Sequence, residues 1–207
     1  MLAKAIGVSH IFLLLLCIDV TVSPILTLFL AKEGKKGLWF DLMTVIILQF
    51  IALVYGIWHI AEGRPVWQTI NIYRVELVKA IDMDYTNARD PFAHTPWGSP
   101  KWAMVRPAKD KQESSDWLWQ ELEKRKSPVQ RAELYQPVEG HWQEIAHEIR
   151  PLADLGKFNP QEQVDAVLQE YPEADGFLPM MGGDLDMTVL LSNKEQKILK
   201  VVDLRPW

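Results

Sequence analysis

Cysteine is almost absent from this chain. Its single thiol, Cys17, lies inside a long apolar run, so no disulfide can form within the rest of the molecule. The sequence has no Gly-x-Ser-x-Gly segment, and its one thiol sits in an apolar run. Covalent catalysis therefore has no candidate nucleophile, and the chain is expected not to be an enzyme. Gly182-Gly183 reads as a turn before a strand and lacks the surroundings of a phosphate-binding loop. Positive charge is also scarce: 22 Lys and Arg stand against 27 Asp and Glu, a net charge of −5. Nucleic-acid binding needs a basic surface to neutralise phosphates, so that class of partner is not expected. The only His/Glu cluster is His141, Glu144, His147 and Glu148. Its histidines are six positions apart and would occupy different faces of a helix, unlike the i, i+4 pair of a zinc-binding helix. The cluster reads as a solvated face, with no metal or cofactor expected.

What the chain does have is apolar length. Residues 5–31 and 38–61 are two apolar runs, each long enough to cross a bilayer core, which needs about 20 residues. A cleavable signal is shorter and begins with a basic segment. The first run has only Lys4 before it and a second run follows at once, so it reads as a retained span. The intervening turn carries Lys32, Lys35 and Lys36 against Glu33. Positive residues at span ends stay cytoplasmic. The turn is therefore expected inside, with the amino terminus and everything after the second span on the other side.

Asp19 lies near the middle of the first span, and Pro24 follows it by five residues. A charge at this depth costs about 2.5–3.5 kcal/mol on insertion scales, so it needs a partner or a proton. Pro24 removes one backbone donor and frees the carbonyl of Val20, which Thr21, Ser23 or Thr27 can help re-satisfy. Gln49, mid-way along the second span, is a natural hydrogen-bonding neighbour for Asp19. Three roles stay open for Asp19: a neutral pair with Gln49 that joins the two spans, a receptor for a polar group on another membrane helix, or a proton relay. Asp41 fits a helix start near the Lys turn. Tyr55, Trp58 and His59 fit an interfacial belt.

Residues 66–207 hold most of the charge and are numerous enough to bury a core. Residues 66–80 alternate with period two and read as one strand. Residues 84–115 read mostly as loop, with Pro and Trp concentrated at 91–107. Asp116 is expected to cap a short helix that Ser127-Pro128 ends. A second helix is expected over 138–156 on the spacing of Trp142, Ile145, Ile149 and Leu152, bent or broken by Pro151. A third follows Asn159-Pro160 through Val164, Val167, Leu168 and Tyr171. Residues 186–192 and 198–204 read as a hairpin. The first strand is expected to pair with it. The fold class is therefore α+β: a transmembrane helical hairpin (1–65) followed by a small extracytoplasmic α+β domain (66–207) with an antiparallel sheet.

Several stretches together resemble the TfpX/TfpZ family of type IV pilin accessory proteins. They are Ile18-Asp19-Val20, Pro24 to Leu28, Gly34 to Leu38, Phe40-Asp41-Leu42, Gln49, Tyr55-Gly56 and Arg64-Pro65-Val66. Near the end come Leu178-Pro179, Asp186 to Val189 and Asp203-Leu204-Arg205-Pro206-Trp207. The resemblance covers most of the chain. It implies a multi-pass inner-membrane protein with a periplasmic domain, no catalytic residue and no cofactor, that promotes the stability or assembly of a type IV major pilin. The pilus assembly machinery and the lipid bilayer are the other implied partners. It also implies a further amino-terminal span before the one containing Asp19. In that setting Asp19, Pro24 and Gln49 are the expected contacts for the pilin's membrane helix. An alternative is a membrane-anchored accessory subunit of a pilin-modifying enzyme such as a glycosyltransferase.

Overall fold

A computed structural model describes residues 38–207 without a break, together with residues 13, 16, 17, 20–22, 24, 25 and 28. Asp19 and the turn lysines Lys32, Lys35 and Lys36 lie outside the described residues, and so does the geometry of the expected hairpin. The chain divides into two units, residues 7–63 and a second that contains 64–207.

In the first unit, helix α1 spans Leu38–Glu62. Its segment Leu42–Glu62 is long and apolar enough to cross a membrane. At 1.5 Å per residue those 21 residues extend about 31 Å, the thickness of a bilayer core. Phe40, Phe50 and Trp58 are exposed around it. Such a display of large apolar side chains suits lipid and would be costly in water. Gly63 closes the helix by donating its N–H to the His59 carbonyl at 2.9 Å.

The second unit is built on a seven-stranded sheet, order β4-β3-β1-β2-β5-β6-β7. The strands are β1 Pro65–Asn71, β2 Arg74–Lys79, β3 Lys101–Val105, β4 Tyr135–Gln136, β5 Gly176–Met181, β6 Met187–Ser192 and β7 Lys197–Val202. Helix α2 is Lys111–Lys124, α3 is the single turn Gln143–Ala146, and α4 is Gln161–Glu170. The class is α+β, as the sequence indicates. The sheet, however, is mixed. β1 runs parallel to β3 and β2 parallel to β5, while the remaining pairs are antiparallel.

Segment 66–80 is a hairpin and not one strand. The chain reverses at Ile72, whose φ of 53° is left-handed. A β-branched residue rarely accepts that conformation, so the sequence carries no turn signal there. The 66–80 segment also fails to meet the terminal hairpin directly, because β5 stands between β2 and β6.

Both faces of the sheet are covered over its middle, which is why β1, β5 and β6 show continuous burial. On one face Ile70, Val75, Leu178, Met180 and Val189 pack beneath Trp142 and Ile145. On the other, Trp67, Ala103 and Val105 meet Phe92, Val129 and Leu134, while Phe177 and Leu190 meet Leu155 and Val164. Fully burying a Val, Leu, Ile, Phe or Met side chain in this way stabilises the fold by roughly 1.5–3 kcal/mol. The expected long helix over 138–156 is reduced to α3 and a 3-10 segment, Leu152–Lys157, with Pro151 between them. Pro151 cannot donate into a helix, and the chain before it bridges to β5 through Arg150 and Phe177. α4 and the β6–β7 hairpin stand where the sequence places them.

Candidate functional site

On α1, Gln49 is half-buried between exposed neighbours Leu48 and Phe50. The less exposed positions Leu42, Val45, Gln49, Gly56 and Ile60 recur at steps of three, four and seven, so they share one stripe. A carboxamide in apolar surroundings is costly without a hydrogen bond. Among the described residues, none hydrogen-bonds the Gln49 side chain. Pro24 is helical and exposed. The Thr21 hydroxyl donates to the Cys17 carbonyl at 2.7 Å, one turn back along its own helix. The third residue of the expected contact, Asp19, lies outside the described residues.

In the second unit α2 carries a cluster of exposed large apolar side chains. The single most exposed such side chain among the described residues is Trp97, 87% exposed in the segment before β3. The start of α2 is fixed by charge. Asp110 accepts from the Glu113 N–H at 2.8 Å, and Glu113 accepts from the Lys109 N–H at 2.7 Å. Glu113 also takes both arms of Arg106, at 3.0 and 2.5 Å. The Arg106 hydrogen bond first, then the backbone N–H of Lys109, holds the Glu113 carboxyl down at about 2. The same guanidinium stacks over Trp117, 5.1 Å from its ring centre. The cap is therefore Asp110 and not Asp116, which sits inside the helix and accepts from Gln112. Asp110 prevails because its carboxylate takes the N–H of Glu113, while Glu113 takes the N–H of Lys109, the residue before the cap.

This anchorage turns one side of α2 inward, at Glu113, Trp117 and Gln120. The opposite side shows Leu118, Trp119 and Leu122 to solvent, 59%, 68% and 65% exposed. An amphipathic helix normally buries such residues. Here the apolar stripe faces out, as it does on helices that meet a partner. The carboxyl half of α2 lies near the β1–β2 turn. There Arg74 is raised overall: burial pulls it down, but its hydrogen bond with Glu76 and the charges of Glu76, Tyr73 and Glu121 outweigh that. Ile72 and Tyr73 are exposed at this turn.

The terminal residues that carry the family resemblance form a clasp. Arg205 bonds the Asp186 carbonyl and the Asp203 carboxylate, and Trp207 donates to Asp186 at 2.7 Å. The Arg205 backbone exchanges two hydrogen bonds with the Asn159 side chain, of 2.7 and 2.8 Å. These residues pin the chain end to β6 and to the start of α4, which makes them structural.

Among the described residues, no group of three or more His, Cys, Asp or Glu side chains is placed to hold a metal ion. His141 precedes α3, with Nδ1 3.0 Å from the Pro137 carbonyl. The helix assumed for its spacing with His147 does not form.

The chain is similar to two curated proteins of Dichelobacter nodosus, the fimbrial assembly proteins of serogroup I and of serogroup E1. Each is 24% identical over 222 aligned positions, covering 97% of this chain and 82% of the relative. The likeness thus spans both units. No family model matches the chain. No solved structure matches it.

Proposed function

We propose that this chain is an inner-membrane accessory protein that binds a type IV major pilin and promotes its stability or its assembly into pili. The role is chaperone-like and non-catalytic. The outward apolar stripe Leu118, Trp119 and Leu122 on α2 is the observation that carries this reading, because a head built to meet another protein needs such a surface. Similarity to fimbrial assembly proteins along nearly the whole chain supports a place in pilus biogenesis.

In this account α1 spans the membrane, the turn at Lys32, Lys35 and Lys36 faces the cytoplasm, and the head stands in the periplasm. A pilin subunit waiting in the membrane has one long apolar helix and an external head. Asp19, Pro24 and Gln49 then offer a polar, kinked contact to the pilin helix, and α2 receives the pilin head. Replacing Asp19 with Leu is expected to reduce piliation without loss of the accessory protein, measured by pilus shearing and immunoblotting. Normal piliation in that variant would remove Asp19 from the contact.

A further inference from the structure

Behind the amino end of α2 lies a cleft of 740 Å³. Its walls come from three stretches: residues 87–92, the segment holding Arg106 and Lys109, and residues 132–137 along the sheet edge at β4. This volume is in the range of ligand sites, about 300–1,000 Å³.

The charges lining it nearly cancel. Arg106 is held by Glu113 and is also raised by the nearby Glu133 carboxylate, with its hydrogen bond to Glu113 the largest influence. Glu133 in turn is held by Arg131 at 2.5 Å. These two cations and two acids satisfy one another. Of the lining residues, what remains is Arg89 and Lys109 against Asp90, two cations against one acid, with the Lys109 charge also felt by Glu113. Among the described residues, neither Arg89 nor Lys109 has a side-chain ion pair, and both are exposed.

We infer that this cleft binds an extended peptide segment of a partner protein that presents a single carboxylate between Arg89 and Lys109. The residual charge of about one unit suits one carboxylate. A phosphate, carrying about −1.5 to −2, would be left partly uncompensated beside Asp90. The rest of the lining suits peptide. Asn87 and Gln136 bring side-chain amides that can bond a backbone, and only one Gln136 N–H is committed, to Glu144 at 2.7 Å. Pro91, Phe92 and Pro137 offer apolar contact for the flanking residues. The wall at 132–137 contains β4, an edge strand, so the ligand lies beside an extended chain. The site is separate from the outward face of α2 and does not depend on the partner proposed for that face.

The test is a displayed library of peptides with blocked ends, selected on the full chain in lipid nanodiscs. Enrichment of sequences with one Asp or Glu is expected, with at least tenfold weaker binding when that acid becomes its amide. The double variant Arg89→Gln/Lys109→Gln should lose at least tenfold while keeping its thermal midpoint, since both side chains are exposed. Arg89→Glu should shift the preference from an acidic to a basic position, a reversal that mere loss of structure cannot produce. The inference is overturned if no sequence is enriched, or if the enriched peptides bind the double variant as well as the parent. It is equally overturned if inorganic phosphate or the phosphoserine counterpart binds more tightly than the carboxylate.

Discussion

Thr69 and Tyr135 share a hydrogen bond of 3.0 Å that reaches from β1 to β4 although β3 stands between them. The phenol accepts from the threonine and donates its own proton to the Val129 carbonyl. Its ring meets Trp67 and Phe92 at centroid distances of 5.5 and 5.8 Å. Burial pushes the phenol above its ordinary range, with the Thr69 hydrogen bond opposing. The neutral hydroxyl therefore joins three elements of the core beneath the edge strand. Tyr135→Phe leaves the buried Thr69 hydroxyl and Val129 carbonyl without a partner and should cost about 1–3 kcal/mol. Chemical denaturation of the detergent-solubilised chain reads this directly. An unchanged midpoint would mean that the bond contributes nothing to stability.

Gly176 begins β5 where the chain crosses Ile149. A Cβ at that position would lie 2.2 Å from Ile149 Cγ2 and 3.2 Å from the Arg150 carbonyl oxygen. The Arg150–Phe177 bridge holds the two segments together, so neither can simply retreat. Gly176→Ala should destabilise the domain by about 1–3 kcal/mol. Ile149→Ala removes the clashing methyl and should make the second substitution much less harmful. A double-mutant cycle showing additive losses would contradict the close packing proposed as the reason for glycine.

Acid should weaken the anchorage of α2. The Glu113 carboxyl sits at about 2 in the folded protein against 4.5 in the unfolded chain, first through its hydrogen bond with Arg106. A depressed folded value means that its contribution is fully present above pH 4.5 and is lost as pH falls toward about 2. Asp84 acts in the same direction, lowered chiefly by its hydrogen bond with Lys126. Stability should therefore decline from about pH 5 downward, and Glu113→Gln should flatten part of that decline. Thermal midpoints recorded from pH 7 to pH 2 for parent and variant make the comparison. Parallel curves would show that Glu113 is not one of the titrating groups.

The elements legible in the sequence were those with local signals. Asn159-Pro160 ahead of Val164, Val167 and Leu168 announces α4, and the two β-rich runs around Asn193 to Gln196 announce the terminal hairpin. β3 and β5 carry no alternation signal. Both are short, and each takes one parallel partner from a distant part of the chain, β3 from β1 and β5 from β2. β5 also forms a hairpin with β6 across Gly182-Gly183, a turn the sequence shows although nothing marks the strand before it. Ile72 hides the first turn because its left-handed backbone is enforced by pairing and not by residue type. The outward face of α2 is hidden for another reason: the helix has apolar residues on both sides, and only the Arg106–Glu113 contact turns Trp117 in and leaves Leu118 and Leu122 out. For the proposed membrane contact, Asp19, Pro24 and Gln49 are read from the sequence alone, and the structure adds only that Gln49 lies on the less exposed stripe of α1.

In the proposed role α2 receives a pilin. A photocrosslinking amino acid at Trp119, with a control at exposed Lys200 on the edge strand β7, tests this in piliated cells. Because Trp119 is 68% exposed, replacing it should leave stability within about 0.5 kcal/mol. The account predicts a light-dependent adduct with the major pilin from position 119 and not from position 200, identified by mass spectrometry. Equal adducts at both positions, or adducts at 119 that lack pilin while pili form normally, would contradict it.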